Sequence, residues 1–225
     1  TYLKGINDSN YVWYNGFMWR IMGINSDGTV RLILDGIVGD TAYQFNSAYD
    51  TFDKMYYSNG SNAKTQVESW YKTNIEDKGY DSYVVTMPFS EQAKVKYKAD
   101  RSGENATMEV YTEYKPNFKC SMDGNEKGIL NSKVGIITYD EVVYAGGYCD
   151  KNNTSYYLYR GYGFWTMSPC GYYSVAYVWN VRSNGNLSER HTQYGYGLCP
   201  VINLIPSAQA TGTGTELDPY KVITN

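Results

Sequence analysis

Four cysteines and a single histidine are the side chains of this chain best suited to nucleophilic, general-base or soft-metal chemistry. His191 lies in the polar stretch SERHTQY, which contains no nucleophile motif. A serine or cysteine hydrolase needs a histidine beside its nucleophile, and the chain has no GxSxG, HExxH or Walker-type loop. Two acids could still converge in space for glycoside hydrolysis, but no spacing favours a particular pair. We therefore predict no catalytic residue and no enzymatic activity.

The cysteines are poorly arranged for zinc, because none belongs to a CxxC pair. Cys120 and Cys149 have the same separation along the chain as Cys170 and Cys199. An even number of cysteines in a chain rich in tyrosine and asparagine is compatible with an oxidising, extracellular setting. We expect a disulfide between Cys120 and Cys149, and a second between Cys170 and Cys199 if the strands that carry them are neighbours. Four reduced thiols are the alternative.

Calcium is the metal that a polar hairpin could hold through carboxylates and carbonyls. The sequence offers Asn180, Asn184, Asn186 and Glu189 there, but no dense acidic cluster. Asparagine in and around a turn is explained by turn geometry without an ion. We therefore expect no metal and no cofactor.

Tyrosine is unusually frequent, at 26 of 225 residues. A tyrosine ring brings a large contact area, few torsions to immobilise and a hydroxyl for hydrogen bonding. Residues 163–204 combine tyrosine with tryptophan, glycine, proline and small polar residues, which is typical of a binding surface. The net charge of −3 is spread along the chain without a basic stripe, which argues against a nucleic-acid partner.

No apolar run in the sequence is long enough to span a bilayer. The chain begins at TYLKG without an initiator methionine. We therefore expect a processed product, with any export signal, pilus attachment or cell-surface anchor upstream of residue 1.

Turn residues and hydrophobic periodicity predict a single mixed α+β domain over residues 1–225. Asn15-Gly16 and Ser26-Asp27-Gly28 separate three apolar runs, so we expect a three-stranded meander from about Tyr11 to Leu34. Apolar residues then recur at helical spacing over 63–75, which predicts an amphipathic helix packed on a sheet.

Further along, Val134–Ile137 is predicted as a strand, and Thr138 with Glu141 fits the capping box of a short helix that ends at Gly146-Gly147. Helix capping explains Asp140 and Glu141 more simply than catalysis. The polar stretch 94–125 is expected to be irregular.

The carboxy-terminal part is predicted to alternate short strands with turns. The strands are YYLY (156–159), FWTMSP (164–169), AYVWNV (176–181) and CPVINLI (199–205), with Asn184-Gly185 as a hairpin turn. A Gly/Thr-rich tail, residues 207–225, is expected to carry a last strand.

The combination FWTMSP…VWNVRSNGNLS…YGYGLCPVINL resembles the carboxy-terminal half of C-type-lectin-fold domains found in many Gram-positive gut bacteria. More narrowly, it resembles the variable proteins of diversity-generating retroelements. NYVWYNGFMWRIMGINSDGTVRLI, GIITYDEVVYAGG and TGTGTELDPYKV match such domains in the same order. The resemblance implies a C-type-lectin-like α+β fold, with antiparallel sheets, two short helices and a ligand-binding face made by the last strands and loops. Cys170 and Cys199 depart from the pattern, since relatives commonly have a small polar residue and an arginine there.

In the retroelement-linked members, errors at template adenines convert asparagine codons of the AAC type into many others. Substitution of the adenines in AAC cannot give tryptophan or methionine. The resemblance therefore implies that Trp165, Met167 and Trp179 are fixed residues that stabilise the fold. The residues that AAC can reach are implied to form the ligand-binding surface: Tyr172, Tyr173, Ser174, Tyr177, Arg182, Ser188, Arg190, His191, Tyr194 and Tyr196.

The resemblance implies a protein displayed outside a Gram-positive bacterium or on its surface, where it binds a protein or glycan through this segment. Two alternatives belong to other classes. One is an enzyme on a scaffold like that of formylglycine-generating oxidases, which would use Cys170 and Cys199. The other is a structural component of a pilus or coat.

Overall fold

The computed structural model describes residues 1–91, 98–99, 106–107, 129–149 and 151–224. The helices are α1 (Asn62–Tyr71) and α2 (Tyr139–Ala145). The strands are β1 (Tyr11–Tyr14), β2 (Phe17–Ile24), β3 (Val30–Leu34), β4 (Tyr43–Gln44), β5 (Met87–Ser90), β6 (Lys98–Ala99), β7 (Ala106–Thr107), β8 (Ile129–Ser132), β9 (Val134–Ile136), β10 (Tyr148–Cys149), β11 (Phe164–Tyr172), β12 (Ala176–Val181), β13 (Asn186–His191), β14 (Gly195–Tyr196), β15 (Pro200–Leu204), β16 (Ala210–Thr211) and β17 (Tyr220–Val222). The α+β class is thus confirmed.

The larger sheet has seven strands in the order β16-β17-β1-β2-β3-β15-β9. It contains the predicted meander, in which Asn15 and Gly16 both have positive φ, at 54° and 78°, as a two-residue hairpin loop requires. Most strand pairs are antiparallel, as expected, but the sheet is mixed, because β17 pairs in parallel with β1. Parallel neighbours need a long connection, and here nearly the whole chain separates the two strands.

The smaller sheet has four strands in the order β10-β13-β12-β11, and its β10–β13 pair is also parallel. The β12–β13 hairpin turns at the predicted Asn184-Gly185, where Gly185 has a φ of 75°. A Cβ atom on Gly185 would lie 1.7 Å from the carbonyl oxygen of Asn153, so only glycine fits this position.

Helix α1 packs on the larger sheet, as its periodicity predicts. Ser61 caps the helix by accepting a hydrogen bond of 3.0 Å from the amide of Lys64. Trp70 meets Phe17 and Trp19 edge to face, with ring centroids 5.1 and 6.0 Å apart.

Helix α2 supports the smaller sheet. The predicted capping box is formed: Thr138 Oγ1 accepts from the amide of Glu141, and a carboxylate oxygen of Glu141 accepts from the amide of Thr138 at 2.9 Å. The ring of Tyr139 lies 4.7 Å from that of Trp179 in β12, so the start of α2 lies beneath the hairpin.

The prediction of a strand at Tyr156–Tyr159 is wrong. This apolar run forms a turn, in which the amide of Tyr157 donates to the carbonyl oxygen of Gly5, and Tyr156, Tyr157 and Leu158 are buried. Burial of consecutive side chains gives the same apolar pattern in a buried turn as in a buried strand. The irregular stretch expected at 94–125 lies outside the described residues, apart from β6 and β7.

Candidate ligand-binding face

Strands β12 and β13, with the turns next to them, bring four of the predicted binding residues into one continuous row of rings. Tyr177 and His191 are directly opposite each other on the two strands, with ring centroids 4.5 Å apart. Tyr173 extends the row at 5.6 Å from Tyr177, and Tyr194 extends it on the other side at 5.8 Å from His191. All three contacts are edge to face. We call Tyr173, Tyr177, His191 and Tyr194 the aromatic row.

Three further predicted residues flank the aromatic row. The guanidinium of Arg190 lies 5.9 Å from the ring centre of Tyr194, within the range of a cation–π contact. Ser174 is exposed at the apex of the β11–β12 turn, with a φ of 59°. The hydroxyl of Tyr172 donates to the carbonyl oxygen of Asp50 at 2.8 Å, so this tyrosine is held against an earlier part of the chain.

The aromatic row remains partly open to solvent. Tyr194 is the most exposed of its members, at 55%, while Tyr173, Tyr177 and His191 are half-buried. Rings that are held by their neighbours and still exposed lose little conformational freedom when they contact a ligand. The arrangement suits recognition through aromatic area and adaptable hydrogen bonds.

Residues 43–50 form one wall of this face, which the sequence did not predict. Strand β4 pairs with β14, and the amide of Ala176 donates to the carbonyl oxygen of Tyr49 at 2.8 Å. The hydroxyl of Thr192 donates to the carbonyl oxygen of Ala48 at 3.2 Å. Tyr49 is 38% exposed and nearby Phe52 is 46% exposed, so both add aromatic surface beside the predicted segment.

Three predicted binding residues lie away from the aromatic row. Ser188 is only 5% exposed, opposite Asn180 inside the sheet. Arg182 follows β12 at the far end of the hairpin, where its amide bonds the carbonyl oxygen of Asn186. Tyr196 packs against Trp165, with ring centroids 5.0 Å apart.

The residues implied to hold the fold are buried. Trp165 and Met167 have no exposed surface, and Trp179 is 3% exposed. The indole nitrogen of Trp165 donates to the carbonyl oxygen of Tyr43 at 2.9 Å, which ties β11 to the wall at 43–50. Trp165 thus links the smaller sheet to the wall at 43–50, next to the hairpin that carries Tyr177 and His191.

The cysteine predictions have different outcomes. Cys170 lies in β11 of the smaller sheet, whereas Cys199 directly precedes β15 of the larger sheet, and no disulfide joins two cysteines of the described residues. The Cys170–Cys199 bridge was therefore a wrong prediction. Burial raises the pKa of the Cys199 thiol to about 12, against the opposing effect of Arg160. Cys120 is outside the described residues, and its bridge to Cys149 stays a prediction.

Within the part of the chain that the structure describes, no group of three or more histidine, cysteine, aspartate or glutamate side chains is placed to hold a metal ion. None of the helices described is long and apolar enough to cross a membrane. Comparison of the chain with protein-family models, curated proteins and solved structures found no match.

Proposed function

We propose that this protein is a ligand-binding domain of C-type-lectin-like fold that is displayed on a Gram-positive bacterial surface. Its ligand is a protein or glycan, and the aromatic row contacts it. The observation that carries the proposal is the row itself, in which partly exposed rings stand in mutual contact on a hairpin with a buried tryptophan core. Paratopes of antibodies use the same combination of rigid tyrosine contacts and adaptable polar neighbours.

The cysteines support binding over thiol chemistry. Cys170 and Cys199 are both fully buried, Cys170 in β11 of the smaller sheet and Cys199 just before β15 of the larger sheet. A reactive cysteine needs access and a lowered pKa, whereas burial raises the pKa of Cys199. An oxidase-like activity built on these two residues is therefore disfavoured.

A binding screen tests the proposed role of the aromatic row. The purified chain is applied to an array of glycans and an array of extracellular protein domains. The variant His191→Ala/Tyr194→Ala is expected to lose at least about tenfold in affinity for any ligand found, because central aromatic contacts dominate interface energy. Its free energy of unfolding should fall by less than about 1 kcal/mol at each of the two partly exposed positions.

Trp13→Ala is the matched control for the screen, since Trp13 is 43% exposed in β1 of the larger sheet. It should bind as tightly as the unmodified chain. Equal binding by the double variant, or a loss shared by Trp13→Ala, would place the ligand elsewhere and contradict the proposal.

We further propose that a diversity-generating retroelement varies this face. The residues of the aromatic row are all of types that adenine substitution in AAC codons can produce, whereas buried Trp165 and Trp179 are not. Sequencing the gene from a single bacterial population should find substitutions confined to 163–204 and to adenine-templated positions. A uniform gene, or substitutions spread equally over 1–160, would refute diversification and leave a fixed binding face.

A further inference from the structure

A half-open cleft lies where the β2–β3 turn, strand β5 and the start of α2 meet. Its volume is about 430 Å³, which is within the usual range of small-molecule sites in proteins. None of the described residues that line it belongs to the aromatic row or to the wall at 43–50. The cleft is therefore a separate concave surface, and its lining determines what it can bind.

One side of the cleft is apolar. Ile24, at the end of β2, is 49% exposed, while Pro88 of β5 is exposed and its neighbour Met87 is half-buried. All three side chains line the cleft. Removal of apolar surface from water is favourable roughly in proportion to its area, so this side suits the aliphatic part of a ligand.

The mouth of the cleft carries a carboxylate in a fixed position. Asp27 is exposed in the β2–β3 turn, where one of its oxygens accepts hydrogen bonds from the amide and the hydroxyl of Thr29, at 3.0 and 2.7 Å. These bonds lower the pKa of the Asp27 carboxyl, so it is ionised at pH 7. The turn holds the side chain in place, and its second oxygen can accept hydrogen bonds from a ligand.

The lining of the cleft favours a cation over an anion. It contains three carboxylates, those of Asp27, Asp140 and Glu141. Its cations are the guanidinium of Arg31, which is bonded to Glu141, and the terminal ammonium of Thr1. A cleft with more acidic than basic groups attracts positively charged ligands.

The acidic groups are spread out rather than gathered around one point. Asp27 is exposed at the mouth, whereas Asp140 is 3% exposed and lies deeper. Over the described ranges of the chain, no three acidic, histidine or cysteine side chains are placed to hold one metal ion. An organic cation, which needs a carboxylate for its charge and an apolar surface for its body, matches this lining better than a metal ion does.

We propose that the cleft binds a primary ammonium group on an aliphatic stem. The ammonium donates hydrogen bonds to the Asp27 carboxylate, and the stem packs on Ile24, Met87 and Pro88. A lysine side chain and a free alkyl diamine share this chemistry. The inference goes beyond the proposed function and does not depend on it, because the cleft and the aromatic row have no residue in common.

An NMR titration of the unmodified chain tests the site. Cadaverine, a linear alkyl diamine, should shift the backbone amides of Ser26 and Thr29 to a saturating end point, with a Kd of about 1 mM, as expected for a ligand with few atoms. Tetramethylammonium chloride at equal ionic strength has the charge but neither N–H donors nor a stem, and it should give no saturating shift. Nα-acetyl-lysine methylamide identifies the source: saturation by both amines assigns the cleft to lysine side chains, and saturation by cadaverine alone assigns it to free amines.

A charge-removing variant tests the role of Asp27. Asp27→Asn keeps an oxygen for Thr29, so the turn should be retained, but cadaverine should bind at least about tenfold more weakly because a charge-assisted hydrogen bond is lost. Asp77→Asn is the matched control, since it removes the same charge from an exposed side chain outside the cleft and should leave the affinity unchanged.

Three results would overturn the proposal. The first is an equal shift of the Ser26 and Thr29 amides by the amines and by tetramethylammonium. The second is saturation of these amides by calcium chloride without any response to the amines. The third is equal affinity of Asp27→Asn and Asp77→Asn for cadaverine. The first two are measured on the unmodified chain, so the test does not depend on the folding of a variant.

Discussion

Replacement of Glu141 by glutamine is expected to lower the free energy of unfolding by about 3 to 5 kcal/mol, the usual cost of breaking a buried ion pair. Nε of Arg31 donates to a carboxylate oxygen of Glu141 at 2.5 Å, and the two side chains are 6% and 4% exposed. The substitution removes the negative charge but keeps the volume, which leaves the buried guanidinium without this counter-charge. It also weakens the capping box with Thr138, since Glu141 accepts from the Thr138 amide.

Urea unfolding of the variant and of a matched control measures this effect. Glu68→Gln is the control, because Glu68 pairs with Lys64 in α1 at the surface, where the side chains are 43% and 24% exposed. A surface pair contributes at most about 1 kcal/mol. Equal losses in the two variants would show that the Arg31–Glu141 pair does not anchor α2 to β3. Tyr139 of α2 contacts Trp179 of the hairpin. Because the Arg31–Glu141 pair holds α2 in place, it also helps to support the hairpin.

Local signals explain why much of the fold could be predicted from the sequence. Asn15-Gly16 and Asn184-Gly185 specify tight turns by their own backbone preferences, and the Thr138–Glu141 box marks the start of α2 within four residues. The parallel pairing of β1 with β17 joins opposite ends of the chain, and no local pattern encodes it. The short β4–β14 pair is equally hard to detect, because it contains only two residues of each strand.

The candidate site was predicted by residue type, and geometry explains why some of the predicted residues lie away from the aromatic row. Ser188 and Glu189 are adjacent in β13, so their side chains point to opposite faces of the sheet. Which face is buried depends on the pairing with β12 and on the segments that cover the sheet. The type of a residue reveals neither. Residue type does not separate Tyr194 from Tyr196 either: Tyr194 lies in the turn before β14 and is exposed, whereas Tyr196 in β14 packs on Trp165. The wall at 43–50 was missed because it comes from a distant part of the chain.

Replacement of Trp165 by alanine is expected to cost about 3 to 5 kcal/mol of unfolding free energy, since it removes a large buried ring and leaves a cavity. The indole has no exposed surface and lies between Phe45, at 5.6 Å, and Tyr196, at 5.0 Å. The substitution also leaves the carbonyl oxygen of Tyr43 without the indole donor. Trp165→Phe retains most of the ring but not this hydrogen bond, so its cost should be smaller.

Trp13 is an exposed tryptophan, so Trp13→Ala shows how much of the effect comes from burial and how much from residue type. It should lower the free energy of unfolding by less than about 1 kcal/mol. Hydrogen exchange adds a local readout, because loss of the Trp165–Tyr43 bond should increase exchange of the amides of Asn46 and Ala176, which bond across the wall. If Trp165→Ala lost stability but left those two amides protected, the wall at 43–50 would be held by its backbone hydrogen bonds alone. If Trp165→Ala lost stability and the two amides also exchanged faster, the Trp165 side chain would be needed to hold the wall at 43–50 beside the aromatic row.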